Sequence, residues 1–403
     1  MKKVLVLGLG AQGSTIAKHL NSHPEVEKII CADYDGALAE HMGETLSKAD
    51  WKQVDANQLT SVIAAAEGCD LIINGLPLAY NLKVMEAALE AGADYMDLSG
   101  PMEDIGFVES YRWLMDEWSR RFREKGLLAL VGCGIAPGLA NVIVRESVEK
   151  LDKCDFIGIY FYDGFISSHF VPFWWSPEVA LGDMMYRTFR YEDGKFVTDT
   201  PFSRPVYMKF RGIDKEIRMV DHEHDEPVTM GLLADSVLKG AKDIEFKYGG
   251  PQIEMSEYLY KAGILNKDTV QVKGVEVSPF DVLMKVIPRA PRYEHEIQAV
   301  IDKGIIKDEG AFLVRVKGSV GEKGVQIDSY TNFPGLEEAF RKAKMTHESY
   351  STGQCAAVFA SLMVEDLCEE NGVIVPEQLD EKGRKYVLRE LGKLSITVDE
   401  YVS

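Results

Sequence analysis

Gly8-Leu9-Gly10-Ala11-Gln12-Gly13, with Asp33 twenty residues beyond the last glycine, is the stretch that decides the fold. It directly follows the aliphatic run 3–7 and opens a helix-like segment over 14–21 that Pro24 closes. A GxGxxG hexapeptide is weak by itself. A strand before it, a helix after it and a carboxylate at the end of a second strand, 28–32, make it a dinucleotide-binding unit. Gly8 permits the tight turn, Gly10 lets backbone approach a pyrophosphate, and Gly13 lets the helix pack close on the sheet. The unpaired N–H groups of the helix start, from Ala11 and Gln12 onward, then face the phosphates. Asp33 suits the adenosine ribose hydroxyls, and its charge repels a 2′-phosphate. Ala32-Asp33-Tyr34-Asp35-Gly36 holds no Arg or Lys to pair with such a phosphate, so NAD is expected rather than NADP.

Strand and helix signals alternate outward from this unit. Strands are expected at 51–54, 70–74, 95–98 and 127–131, and helices at 59–67, 81–91 ending at Gly92, and 108–125 ending at Gly126. Unbroken apolar runs alternating with helices imply a parallel sheet covered on both faces. Residues 1–138 therefore form a doubly wound α/β Rossmann domain that closes at the turn Gly132-Cys133-Gly134-Ile135-Ala136-Pro137-Gly138. Strand-like stretches at 156–162, 206–210, 243–248 and 312–320 suit an inserted α+β domain over 139–350, following a helix at 139–151. Residues 351–403 return to helix, with 354–369 read as strongly amphipathic and Pro376-Glu377-Gln378-Leu379 as a short turn. No repeat, low-complexity tract or linker interrupts the chain.

At roughly 150 residues per domain, 403 residues agree with two domains, and 46% hydrophobic residues fill ordinary cores. With 64 acidic against 45 basic side chains the net charge is −19, which repels nucleic acid and anionic membrane surfaces. The mean hydropathy of −0.12 agrees with a chain that does not enter the membrane, and no apolar stretch approaches the roughly 18 to 20 residues that span a bilayer. The apolar run after Lys2 and Lys3 is too short for a signal sequence. The six cysteines show no zinc spacing, and free thiols in a reducing cytoplasm are expected.

In such a sheet the nicotinamide lies past the carboxyl ends of the central strands. Asn74-Gly75-Leu76-Pro77 and Asp97-Leu98-Ser99 are placed there. Asn74 either meets the cofactor or bonds its own turn, and Asp97 either reacts or caps a helix. Asp55, after the third strand, either reaches the adenine or is a solvated loop carboxylate.

Residues 70–77, Ala91-Gly92-Ala93-Asp94-Tyr95-Met96-Asp97-Leu98-Ser99-Gly100 and Gly134-Ile135-Ala136-Pro137-Gly138-Leu139-Ala140-Asn141 together resemble the saccharopine dehydrogenase superfamily. Within it the chain looks most like lysine 6-dehydrogenase and saccharopine-reductase-like enzymes. Phe173-Trp174-Trp175-Ser176-Pro177-Glu178 resembles the family's aromatic-Trp-Ser-Pro segment of the substrate domain. The resemblance is firm over the first 145 residues and loose from 190 to 345. It implies a Rossmann domain, a dimerising α+β domain inserted after Ala136-Pro137-Gly138, a last helix returning to the first domain, and hydride transfer at the C–N bond of an amino acid or secondary amine. A homodimer acting on a small amine or amino acid follows.

That chemistry needs one proton carrier besides the cofactor. Asp97, Tyr80, His222 and His224 are the candidates. His222 and His224 sit in Asp221-His222-Glu223-His224-Asp225-Glu226, which suits proton transfer, amine recognition, a divalent metal or a polar surface loop. No third metal ligand is identifiable, and no metal is assigned. Arg218 and Lys247 are candidate anchors for a substrate carboxylate. Trp174, Trp175 and Ser176, with Phe170 and Phe173, either wall the substrate pocket or pack a core. The leading expectation is an NAD-dependent dehydrogenase of amine-bearing carbons. An NADPH-dependent reductase that condenses an aldehyde with an amine, of saccharopine-reductase or carboxynorspermidine-dehydrogenase type, is the second reading. An NAD-binding redox sensor without turnover is the third.

Overall fold

The computed structural model describes every residue except 102 and 104. The chain separates into two compact units: Met1–Glu149 with Val228–Leu238 and Ser351–Thr397, and Lys150–Pro227 with Lys239–Tyr350 and Val398–Ser403.

The first unit runs β1 (Lys2–Leu7), α1 (Ala11–Asn21), β2 (Val26–Asp33), α2 (Gly36–Thr45), β3 (Ala49–Gln53), α3 (Leu59–Ala66), β4 (Leu71–Asn74), α4 (Asn81–Ala91), β5 (Asp94–Asp97), α5 (Phe107–Trp113), α6 (Ser119–Lys125), β6 (Leu128–Leu130) and α7 (Leu139–Glu149). Its seven strands are ordered Gly372–Ile374, β6, β5, β4, β1, β2, β3, and every pairing is parallel. The chain crosses from one half of the sheet to the other between β1 and β4, which makes their carboxyl ends the crevice where a ligand can lie. Register lines up that edge: Leu7 pairs with Ala32 and with Asn74, and Asn74 pairs with Asp97. The run Val4-Leu5-Val6-Leu7 of β1 is buried on both faces, as are all four residues of β4.

The second unit is a mixed sheet of nine strands. The main path runs Lys195–Asp199, Thr188–Glu192, Asp243–Gly249, Lys153–Asp163, Gly310–Val320, Lys323–Asn332 and Thr397–Val402, with Val206–Lys209 and Glu216–Asp221 joined at Asp243–Gly249. Asp243–Gly249 and Lys153–Asp163 are parallel; the pairings flanking them are antiparallel. One core gathers Tyr160, Tyr162, Phe210, Ile217, Met219 and Leu313, and another gathers Trp174, Ile297, Val300, Leu336 and Phe340.

Three boundaries differ from the sequence expectation. Helix α7, expected to open the second domain at 139, packs within the first unit, and Val228–Leu238 joins it there. The tail beyond Thr397 pairs with the second unit's sheet rather than with the first. The helix expected over 354–369 spans His347–Val364, and it is not amphipathic in its setting, because every residue from Cys355 to Val364 is buried. A helix buried all round carries no polar face. Its Gln354, Ser361 and later acidic residues suggested one, but Glu365 and Asp366 fall beyond its end. No helix among the described residues is long and apolar enough to cross a membrane.

Candidate functional site

The glycine loop is built as its sequence requires. Gly8 has a φ of +86° and donates its N–H to the Ala32 carbonyl at 2.8 Å. A Cβ on Gly13 would overlap the Gly8 carbonyl oxygen, and one on Gly75 would lie 2.8 Å from that atom, so the turn, α1 and the end of β4 close on one another only as glycines. At Gly10 nothing lies within 4 Å of where a Cβ would stand. The space open to a ligand therefore faces Gly10, at the start of α1. No side chain caps that helix start, and no acidic residue occupies its first turn. Its free N–H groups and the positive end of its dipole suit a phosphate.

Asp33 ends β2 and accepts from the Leu9 N–H at 2.7 Å and from the Asp35 N–H at 2.9 Å, one on each carboxylate oxygen. It thus fixes the glycine loop while each oxygen keeps a lone pair for a ribose hydroxyl. Asp35 is occupied in capping α2, accepting from Ala37 and Leu38. Asp55 accepts from the backbone and side-chain N–H groups of Asn57, making the turn into α3.

A buried hydrogen-bonded chain links the later strand ends. Asn74, 1% exposed, donates from Nδ2 to Asn81 Oδ1 at 2.8 Å and to the Tyr95 hydroxyl at 3.1 Å, and its Oδ1 accepts from Leu76 N–H at 3.2 Å. Tyr95 donates to Asp97 Oδ2 at 2.9 Å, and Asp97 Oδ1 accepts from the Gly132 N–H at 2.8 Å. Asn81 donates to the Ser99 carbonyl at 2.5 Å. Burial and the neighbouring Asp97 charge push the Tyr95 phenol well above its usual value, so it stays a donor.

Asp97, a candidate proton carrier, is 1% exposed, and each of its oxygens accepts a hydrogen bond within this chain, which ties β5 to the Gly132 loop. Tyr80, another candidate, has its hydroxyl 3.4 Å from Asn57 Oδ1, beside the Asp55 turn. Pro77 opens the short turn that carries Tyr80.

The Ala136-Pro137-Gly138 turn joins the same edge. The Ala136–Pro137 bond is cis, Gly134 N–H donates to the Pro137 carbonyl at 2.7 Å, and Gly138 N–H donates to Asn141 Oδ1 at 2.9 Å. Sequence reasoning missed the last piece. Gly353 meets α1 so closely that a Cβ there would lie 2.7 Å from Thr15 and 2.9 Å from Gln12 Oε1, and Thr352 stands 3.7 Å from the Cβ position of Gly134. The small-residue run Ser351-Thr352-Gly353 was the available signal of close approach. Gln12 Oε1 and Ser351 Oγ are buried there with no hydrogen-bond partner among the described residues. A cradle that Cβ atoms would fill, an uncapped helix start and these two orphaned polar atoms fit a nicotinamide dinucleotide, which Gly8, Gly10, Gly13, Asp33 and the Asn74–Pro77 loop would hold.

In the second unit the predicted residues divide. Lys247 is fully buried and occupied: it binds Asp221 and donates to the Arg204 carbonyl at 3.0 Å. Arg218 is bidentate to Glu257 at 2.7 and 3.2 Å. Each of these candidate carboxylate anchors has a counter-ion within the fold. Trp174 lies in the core against Phe165, its ring 4.7 Å from that of His347, and Trp175 packs at the edge of that core. Ser176 caps the helix Pro177–Asp183 by accepting from Val179 N–H. Of the two alternatives the sequence left open, the structure has Trp174 and Trp175 packing a core, with Ser176 as a helix cap.

His222 and His224, by contrast, are not on a polar surface loop. His222 is 7% exposed, Glu223 6% and Glu226 0%. The His224 ring stacks on Phe246 at 3.8 Å, and its Nδ1 binds Glu226. The carboxylates of Glu226, Asp225 and Asp183 outweigh the desolvation of that ring and raise its pKa to about 9. Burial and the neighbouring carboxylates raise Glu223 to about 8, and burial raises Asp183 to about 7. His222 is held down to about 3 by burial and by His224. Among the described residues no His, Cys, Asp and Glu group has the arrangement of a metal site.

Comparison with known proteins covers almost all of the chain. The family model for the saccharopine dehydrogenase NADP binding domain matches residues 4–130, and that for the saccharopine dehydrogenase C-terminal domain matches 134–396. A carboxyaminopropylagmatine dehydrogenase from Synechocystis sp. is 25% identical, over 100% of this chain and 98% of its own. A carboxynorspermidine synthase from Vibrio alginolyticus is 24% identical, over 84% and 80%. Among solved structures, the apo saccharopine dehydrogenase (L-Glu forming) from Saccharomyces cerevisiae superposes with a TM-score of 0.70 at 13% identity, over 100% of both chains. The homospermidine synthase from Legionella pneumophila in complex with NAD gives 0.66 at 12%, over 100% of this chain and 91% of that one.

Proposed function

The chain belongs to the saccharopine dehydrogenase family, and from that premise we propose that it uses NAD to oxidise, or reductively form, the C–N bond of a secondary amine carrying a carboxylate. The glycine cradle with Asp33 at its rim is the observation that carries this reading. The relatives support it, being named for carboxylated amines. Bound nicotinamide would supply or accept the hydride. The chain's own part is to place that ring: the Asn74–Tyr95–Asp97 chain fixes the loops after β4, β5 and β6 against one another.

NAD is favoured over NADP because Asp33 puts a negative charge at the ribose and Tyr34, Asp35 and Gly36 add no cation. The test is direct. Purified protein is mixed with NADH or NADPH, an ω-amino aldehyde or oxo acid, and a panel of amines, and the reduced-nicotinamide absorbance is followed in both directions. Consumption with NADH in the presence of both carbonyl and amine is the expected result. No turnover with any pair, in either direction, overturns the reading, and a strong preference for NADPH overturns the cofactor choice.

A further inference from the structure

Four buried polar atoms about His222 and His224 in the second unit have no hydrogen-bond partner among the described residues: Nε2 of His222, Oε1 of Glu223, Oε1 of Glu226 and the hydroxyl of Tyr248. Their side chains are 0–7% exposed. The His222 ring lies 5.9 Å from that of His224 and 5.4 Å from that of Tyr248, and His224 is bound to Glu226. Asp183, at the end of its helix, and Asp225 face Glu223 closely enough to disturb its ionisation.

Three of these atoms, on His222, Glu223 and Glu226, are acceptors, and the Tyr248 hydroxyl can both donate and accept. His222 Nδ1 lies 2.7 Å from the Glu223 carbonyl, which can only accept, so Nδ1 carries the proton and Nε2 presents a lone pair. In their ionised forms the carboxylates of Glu223 and Glu226 likewise only accept. Buried acceptors left unmade cost free energy, and a ligand that satisfies them together has to bring several N–H donors and positive charge. An ammonium or guanidinium group does both, whereas a carboxylate or a neutral hydroxyl does not.

We propose that Glu223, Glu226 and His222 form a binding site for a cationic amine or guanidine group of the substrate, remote from the C–N bond that reacts, and so select a polycationic amine over a simple amino acid. This rests on the reading of the chain as an amine oxidoreductase. His224, paired with Glu226 and stacked on Phe246, holds the Glu226 carboxylate in place, and Asp183 adds charge behind Glu223. The raised proton affinities of Glu223 and Asp183 agree with a carboxylate pair that lacks its counter-ion, and they make binding proton-linked: an entering cation favours the ionised forms and expels protons.

The test is calorimetric titration of the full chain with 1,4-diaminobutane and with n-butylamine, near pH 7, in two buffers of different ionisation enthalpy. The diamine should bind about 10- to 100-fold more tightly than the monoamine, the range that charge-assisted hydrogen bonds supply, and its binding should release protons. Glu223→Gln should bring the diamine to the monoamine's affinity and abolish the proton release. Glu226→Gln breaks the His224 pair and risks misfolding, so Glu223→Gln, whose Oε1 has no partner to lose, is the deciding variant, with unchanged NAD binding as its control for folding. Equal affinities for the two amines, or an unaltered diamine affinity in Glu223→Gln, overturns the site. Because titration needs no turnover, the two readings fail separately: diamine binding without turnover overturns only the proposed reaction, and turnover without diamine preference overturns only the cation site.

Discussion

Asp97→Asn separates a reacting carboxylate from a positioning one. Asp97 is 1% exposed, accepts from Tyr95 at 2.9 Å and accepts from Gly132 N–H at 2.8 Å. An asparagine of the same shape keeps one acceptor oxygen, which stays with Gly132. Its NH₂ then faces the Tyr95 hydroxyl, which already receives a hydrogen bond from Asn74 at 3.1 Å. Tyr95 is left with two donors pointing at it and nowhere to place its own proton. The loss is one hydrogen bond to a charged group, about 1.5–3 kcal/mol. For a unit of this size, each kcal/mol moves Tm by about 2–4 °C, so a fall of about 3–12 °C is expected. If the strain falls on the loops after β5 and β6, NAD dissociation rises about 10- to 100-fold at 1.4 kcal/mol per tenfold. Differential scanning fluorimetry reads the first and fluorescence titration with NADH the second. The pH profile of kcat should keep both limbs. A variant with wild-type Tm and NADH affinity, a thousandfold lower kcat and a missing limb would show that Asp97 exchanges a proton with substrate, and the positioning role would fall.

Three further outcomes follow from the same geometry. Asp33→Ser removes the ribose acceptor and the clamp on Leu9 N–H, and should weaken NADH binding about 10- to 100-fold while leaving NADPH binding equal or better; retained NADH preference would show that Asp33 does not face the ribose. Gly13→Ala should cost about 1–3 kcal/mol in stability and abolish tight NAD binding, because its Cβ overlaps the Gly8 carbonyl; an unchanged melting curve would contradict the packing. The apo protein should lose stability between pH 6.5 and 9. There His224, with a folded pKa raised to about 9, and Glu223, raised to about 8, hold protons that the unfolded chain releases, so the folded state binds more protons and stability falls as pH rises. His222 and His347, held down to about 3 and about 4, act only below their ordinary value of 6.5. A melting temperature flat from pH 6.5 to 9, in the absence of any amine, would contradict the protonation of this cluster.

The first unit was legible because its signals are local. Gly8, Gly10, Gly13 and Asp33 each have one physical task set by the neighbouring strand and helix, and the structure has a tight turn at Gly8, close packing at Gly13, open space at Gly10 and Asp33 bound to the loop at Leu9. Helix α4 ends at Gly92, in the left-handed conformation that a residue without a Cβ adopts readily. The second unit is made of pairings distant in sequence. Lys153–Asp163 is flanked by Asp243–Gly249 and Gly310–Val320, and no short window shows which strand lies beside which. Arg218 and Lys247 read as free cations for the same reason, since Glu257 and Asp221 come to them only through the fold.

The histidine pair shows why a motif's composition can be right while its setting is hidden. Asp221-His222-Glu223-His224-Asp225-Glu226 carries enough charge to be a solvated loop, and in isolation water is the least costly place for it. Burial changes what the same residues mean. In a buried setting each carboxylate needs a partner; of the segment's two histidines His222 is held neutral and His224 is spent on Glu226. Lys247 and Arg204, cations of the same region, are paired with Asp221. Glu223 Oε1 thus remains buried with no hydrogen-bond partner among the described residues, a state that folding tolerates by protonating the acid and that a cationic ligand would relieve by ionising it. The local cost of leaving that acid unpaired is what makes the site selective: only a ligand that brings positive charge favours the ionised form and gains a charge-assisted hydrogen bond from it.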